Sequence, residues 1–250
     1  MDKSQRGEVG VGPYDGPWPS DPRLDPELLE DGDRRNVADR YRYWRLEAIV
    51  ADLDRTRHPF HVAIENWEHD FNIGSVVRTA NAFNAAAFHI VGRRRWNRRG
   101  AMVTDRYQHE YHHPDAAALA AWAAGSAEDV ASLAPSGSGR HPGFAVGDGI
   151  PASGIPASGI PGDGIPASGI PLIGIDNVPG SMALESYDLP RACVLIFGQE
   201  GPGLTPAMQQ VCRVVLHIEQ FGSTRSINAG AAAAIAMHAW VRRHVVGQRP

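Results

Sequence analysis

The chain is nearly without lysine: of its 24 basic residues only Lys3 is one, and the rest are arginines. It has two cysteines, Cys193 and Cys212, set in apolar surroundings and without metal-ligand spacing. That excludes a disulfide framework and a cysteine zinc site, and leaves two reduced, buried thiols as the expectation. Long apolar runs are missing too. The softest stretch, 229-AGAAAAIAMHAWV-241, is too short and too alanine-rich to span a bilayer. The opening MDKSQRGEVG lacks the apolar core of a secretion signal. The expected setting is therefore cytoplasmic, with no membrane partner. No Gly-Lys-Ser/Thr phosphate loop and no dinucleotide glycine fingerprint occur. What is present, 43% hydrophobic and 21% charged residues, is ordinary for a soluble globular protein.

The net charge of −4 is unevenly placed. Residues 1–35 hold nine acids and five bases, so the remainder is balanced. Five prolines fall between Pro13 and Pro26, and the composition predicts a disordered acidic tail over 1–35. From 36 to 58 a helical extension is expected, because Val37, Tyr41, Trp44, Ala48 and Ala51 step by threes and fours until Pro59.

Beyond it the chain alternates. Strand-like 60-FHVAIEN-66 precedes a helix with Ile73, Val76, Val77, Ala80 and Phe83 on one side; 88-FHIVG-92 returns as a strand. The helix-like 115-DAAALAAWAA-124 follows. Strands are expected at 172-LIGID-176, 192-ACVLIFG-198 and 214-VVLHI-218, with a short helix capped by Thr205 and Pro206 and a C-terminal helix over 227–246. A continuous apolar strand is the mark of a sheet buried on both faces. The pattern predicts an α/β domain over 59–247, a mainly parallel sheet flanked by helices.

A low-complexity insertion at about 125–171 interrupts that domain. Within it Gly-Ile-Pro recurs five times over 149–171. Five residues cannot form a supersecondary unit, and Gly and Pro in each copy oppose both helix and central strand. A semi-extended spacer is the reading, tolerated because loop closure costs little extra with length.

Ligands of open α/β sheets bind beyond the carboxyl ends of the strands. Three loops there are distinctive: 72-NIGSVVR-78, 198-GQEGPG-203 and 219-EQFGSTRSIN-228. Singly each has a plain explanation. Asn72 and Asn228 suit helix starts, Arg78 suits a solvated face, and Glu200 suits an exposed turn.

Jointly, 72-NIGSVVRTANAF-83, 195-LIFGQEGPGL-204 and 216-LHIEQFGSTRSINAGAAAAIA-236 resemble, in order and spacing, the three motifs of the SpoU-type RNA 2′-O-ribose methyltransferases of the SPOUT superfamily. Ile227 and Ala229 depart conservatively from the common Leu and Val. The resemblance implies a C-terminal deep trefoil knot, S-adenosylmethionine held there largely by backbone groups, no metal, and a homodimer with a shared active site. It implies a catalytic role for Arg78, with Glu200, Ser226, Asn228 and Asn72 orienting it, the cofactor loop and the substrate. Gly198, Ile218, Ile227 and Asn228 match cofactor-binding positions, and the Ile175–Asp176 backbone is a further candidate. The substrate is expected to be a ribose of tRNA or rRNA; the alternative is a catalytically silent RNA-binding relative.

The segment 93-RRRWNRR-99 sets Arg93, Arg94, Arg95, Arg98 and Arg99 around Trp96. Arginines that bind phosphates beside an aromatic that stacks on a base would make an RNA contact. The histidines of 107-YQHEYHHP-114 lack the fixed helical spacing of a metal pair.

Overall fold

The computed structural model describes residues 10–66, 72–125 and 169–246. Its centre is a seven-stranded sheet: β1 (Phe60–Asn66), β2 (Phe88–Gly92), β3 (Glu110–His113), β4 (Leu172–Ile175), β5 (Met182–Ala183), β6 (Cys193–Phe197) and β7 (Val214–His217). The order is β3-β2-β1-β6-β4-β7-β5 and every pairing is parallel. β4 lies between β6 and β7 although it precedes both in sequence.

Helices cover both faces, as the continuous apolar strands require. On one face α3 (Ile73–Ala82) and the C-terminal helix, α6 (Ala229–His244), bury Ile73, Val77, Met237 and Trp240 against Phe60, Ile64, Phe88 and Leu195. On the other α4 (Ala116–Ala123) and α5 (Pro206–Val211) bury Leu119, Trp122 and Met208 against Ala63, Val194 and Ile196. Thr205 caps α5 by accepting from Met208 N, and Pro206 occupies its first turn. The strands and helices predicted beyond residue 59 fall where expected; β3 and the two-residue β5 do not show in the sequence pattern.

The N-terminal segment differs from expectation. Residues 10–35 are folded, not a disordered tail. Helix α1 (Pro26–Asp31) is capped by Asp25, and Val11 bridges Asp33. Asp33 is fully buried and accepts from Arg35 Nε (2.9 Å), Arg35 Nη2 (2.7 Å) and Tyr43 N (2.9 Å). Burial opposes its ionisation; the Arg35 hydrogen bonds outweigh it and hold the carboxyl below its ordinary range. Acids that composition counts as solvated are here caps and clamps.

The extension is likewise not one helix over 36–58. A 3₁₀ turn at Asp39–Tyr41 and a left-handed Tyr43 (φ 62°) precede α2, which is confined to Leu46–Asp54. Tyr41 and Ile49 pack on Tyr107, and Arg57 donates to the Tyr107 carbonyl at 2.8 Å, docking the extension on the domain. Of the insertion, residues 126–168 lie outside the described residues, and with them most of the repeat. Its two ends meet: Ile170 N donates to the Ala123 carbonyl at 2.8 Å.

Candidate active site

The carboxyl ends of β4, β6 and β7 open into a cleft of about 280 Å³, small for a ligand site but of the right order. Ile175, Asp176, Gly198, Glu200, Ile218, Ser226, Ile227 and Asn228 line it, joined by Phe197, Gln199, His217 and Gln220. Every cofactor position inferred from the sequence is thus at one cleft, as are three of the five inferred catalytic residues.

The loop after β6 is folded back on itself. Gln199 and Gly203 exchange backbone hydrogen bonds at 3.2 and 3.0 Å, and Gly201 and Gly203 take φ of 92° and 71°. A side chain at Gly198 would run into the backbone of Gly203 and Leu204, so only glycine lets the strand leave the sheet this tightly. Two carboxylates fasten the loop from below. Asp176 Oδ2 accepts from Leu204 N at 2.7 Å, and buried Glu65 on β1 accepts from Thr205 N (2.8 Å) and Oγ1 (2.7 Å). Glu65 is a positioning residue outside the three motifs; its one signal in the sequence is a carboxylate directly after the apolar run 62–64 of β1.

The three motif loops are tied together by side chains. Asn72 Nδ2 donates to Glu200 Oε2. Asn228 Nδ2 donates to Asn72 Oδ1 at 3.0 Å and to Glu200 Oε1 at 3.4 Å. Its Oδ1 meanwhile accepts from Gly230 N (2.9 Å) and Ala231 N (3.2 Å), capping α6. Asn72 makes no capping bond to its own helix, so its side chain is spent across the motifs. Ser226 faces the cleft, exposed.

Arg78 stands apart. It is exposed on α3, outside the lining of the cleft, and makes no ion pair or hydrogen bond among the described residues. Ser75, three residues before it on α3, faces Gly230 at the start of α6.

The arginine segment divides. Trp96 is not available to a base: it is 8% exposed, packs edge-on to Phe88 and donates to Glu110 at 3.1 Å. Arg98 lies over its ring and pairs with Asp105 (2.5 Å) and Glu110 (2.8 Å). An amphipathic indole next to apolar β2 gains more from the core than from water, and the nearby carboxylates then draw in Arg98. Arg93, Arg94, Arg95 and Arg99 remain exposed and without ion pairs among the described residues. Asn66 at the end of β1 pins their backbone by donating to the Arg93 (2.5 Å) and Arg95 (3.0 Å) carbonyls. Gly74 on α3 meets Gly100 so closely that an added Cβ would lie 2.6 Å from its Cα. The basic loop is therefore fixed beside the first motif.

The histidines of 107–114 separate. His109 pairs with Asp54 at 2.8 Å, His112 bonds the Gly92 carbonyl at 2.8 Å, and His113 turns inward to His89. Among the described residues no group of three His, Cys, Asp or Glu could hold a metal ion. No helix among them is long and apolar enough to cross a membrane. Both cysteines are free thiols, and burial pushes Cys212 up to about 12.

Residues 163–238 match the model of the SpoU rRNA methylase family, a span that includes the second and third motif loops. That stretch of the chain is similar to the SpoU methylases. Solved structures share the fold. The SpoU methyltransferase AviRb from Streptomyces viridochromogenes, in complex with the cofactor AdoMet, superposes with a TM-score of 0.52 at 21% identity, over 78% of this chain and 61% of that one. The A. aeolicus TrmH/SpoU tRNA modifying enzyme gives 0.54 at 14%, over 81% and 84%. An RNA 2′-O ribose methyltransferase gives 0.50 at 16%, over 76% and 58%. The chain spans about three-fifths of the length of AviRb. No curated protein matches it in sequence.

Proposed function

We propose that the chain is a SpoU-type methyltransferase that transfers a methyl group from S-adenosylmethionine to a ribose 2′-hydroxyl of tRNA or rRNA. The observation that carries this reading is the Asn72–Glu200–Asn228 network, which joins all three motifs at the rim of one cleft. The cleft suits a cofactor held by backbone: Gly198 and Gly203 leave room where side chains would collide, and the loop between them lines the cleft. Gly198, Ile218, Ile227, Asn228 and the Ile175–Asp176 backbone would hold it, in the trefoil knot that the resemblance implies.

When bound, S-adenosylmethionine supplies an already electrophilic methyl group, so the protein's part is alignment and handling of the hydroxyl proton. The guanidinium of Arg78 carries donors and no acceptor, which ill suits a general base. Its forked donors instead suit a phosphate clamp that sets the ribose and stabilises negative charge on the 2′-oxygen. Ser226 faces the cleft as a hydroxyl donor or acceptor toward the reacting ribose. Arg93, Arg94, Arg95 and Arg99 form the surface for the neighbouring phosphates.

A homodimer gives Arg78 its place. Exposed and outside its own cleft, it is free to complete the cleft of a second copy. Mapping 2′-O-methylated nucleotides in tRNA and rRNA from cells with and without this gene tests the proposal. A site that vanishes with the gene and returns with the wild-type chain, but not with the Asn228→Ala chain, is expected. An unchanged map contradicts it.

A further inference from the structure

Phe221 is 92% exposed, the most solvent-accessible of the large apolar side chains described. It sits in the loop between β7 and α6, directly after Gln220, which lines the cleft, and five residues before Ser226, which lines it again. Its neighbours Gly222, Ser223, Thr224, Arg225 and Ser226 are all exposed. The loop is not loose at its far side: Asn177 Nδ2 donates to the Arg225 carbonyl at 3.2 Å. One aromatic is thus held in water at the mouth of the cleft, among polar residues.

We infer that Phe221 is a base-stacking residue, receiving the base of the target nucleotide or of its immediate neighbour. The inference rests on the proposed RNA methyl transfer. Proteins that select one nucleotide of an RNA take it mostly from single-stranded loops and bulges, where the base is splayed out and has lost its stacking partners. Single-stranded bases are commonly received on aromatic side chains, since every base has a π face. The surroundings favour this occupant over a second copy of the chain. The core of a subunit interface is a contiguous apolar patch depleted in charge, whereas Phe221 is a lone ring between Glu219 and Arg225. Arg225, exposed four residues on, is placed for the adjoining phosphate.

The test compares wild type with Phe221→Ala and Phe221→Trp by fluorescence anisotropy. The probes are a labelled single-stranded oligoadenylate and an abasic ribose-phosphate oligomer of equal length. Loss of stacking on one base weakens binding roughly ten-fold. Phe221→Ala should lose that factor on oligoadenylate and nothing on the abasic oligomer, while Phe221→Trp keeps both. Equal binding by Phe221→Ala and wild type on oligoadenylate would overturn the inference. So would an equal loss on both probes, or a change of oligomeric state by light scattering, which would assign the ring to a subunit contact. Affinity for S-adenosylhomocysteine, read alongside, should be the same in all three. If the wild-type chain binds neither oligomer, the proposed function fails rather than the role of Phe221.

Discussion

Asn228 donates to Asn72 Oδ1 at 3.0 Å across 156 residues of chain, and with the other end of the same amide it caps α6. The two uses are separable. Asn228→Asp keeps an oxygen for Gly230 and Ala231 but loses the donor and sets a second carboxylate beside Glu200. Asn228→Ala loses both.

Asn228→Ala should therefore cost about 1 kcal/mol of stability through the cap, and Asn228→Asp should recover most of it. Neither should transfer methyl groups. Thermal melts together with a transfer assay check this. An active Asn228→Asp chain would show that the tie between the motifs is dispensable.

Arg78 has no partner among the described residues, so removing it takes nothing from the fold. Arg78→Ala should melt within about 0.5 kcal/mol of wild type, keep its affinity for S-adenosylhomocysteine, and transfer no methyl groups. If Arg78 serves the cleft of a second copy, mixing inactive Arg78→Ala and Asn228→Asp chains should restore activity, because one intact cleft then meets one intact arginine. Mixtures as inactive as their parts would place Arg78 at its own cleft.

Three histidines form a buried chain across β1, β2 and β3. His61 Nδ1 meets His89 Nε2 at 3.0 Å, and His89 Nδ1 meets His113 Nε2 at 2.9 Å, beneath Trp122. Burial, and then the neighbouring imidazoles, push His89 well below its ordinary value; burial takes His61 down to about 3 and His113 down to about 4. Their folded pKa values lie below the unfolded value near 6.5, so the unfolded chain takes up protons first. Stability should be full above pH 6.5 or so and fall from there toward pH 4, by up to about 1.4 kcal/mol per pH unit for each histidine. Asp33 and Asp54 are held low and contribute only at more acid pH. Urea midpoints across this range check the slope, and His61→Phe should flatten it.

The hydrogen bond from Ile170 N to the Ala123 carbonyl brings the two ends of the insertion together. Replacing residues 126–168 by a short glycine linker should leave the melting temperature and S-adenosylhomocysteine affinity unchanged. A large loss of affinity would give the Gly-Ile-Pro tract a part in the cleft.

The sheet was readable because strands such as 193–197 are apolar throughout, and the cleft because Gly198, Glu200, Ser226 and Asn228 recur at family spacing. Other features depended on tertiary partners that no local pattern reveals. Asp33 and Asp25 look like solvated acids until Arg35 and a helix start engage them. Trp96 looks like an RNA contact until Phe88 and Glu110 enclose it. Glu65 and the histidine chain are polar groups inside apolar strands, legible as anomalies but not as to what they hold. Phe221 falls between motif residues, and only its exposure singles it out.

Methyl transfer to ribose oxygen, as proposed for this cleft, leaves a chemical signature in RNA. Incubating the chain with methyl-labelled S-adenosylmethionine and total RNA, followed by alkaline hydrolysis, tests it most directly. A 2′-O-methyl group removes the hydroxyl that alkaline cleavage needs, so the label should appear in alkali-stable dinucleotides. Label in mononucleotides carrying a methylated base, or no label in RNA at all, would rule out ribose methylation by this chain.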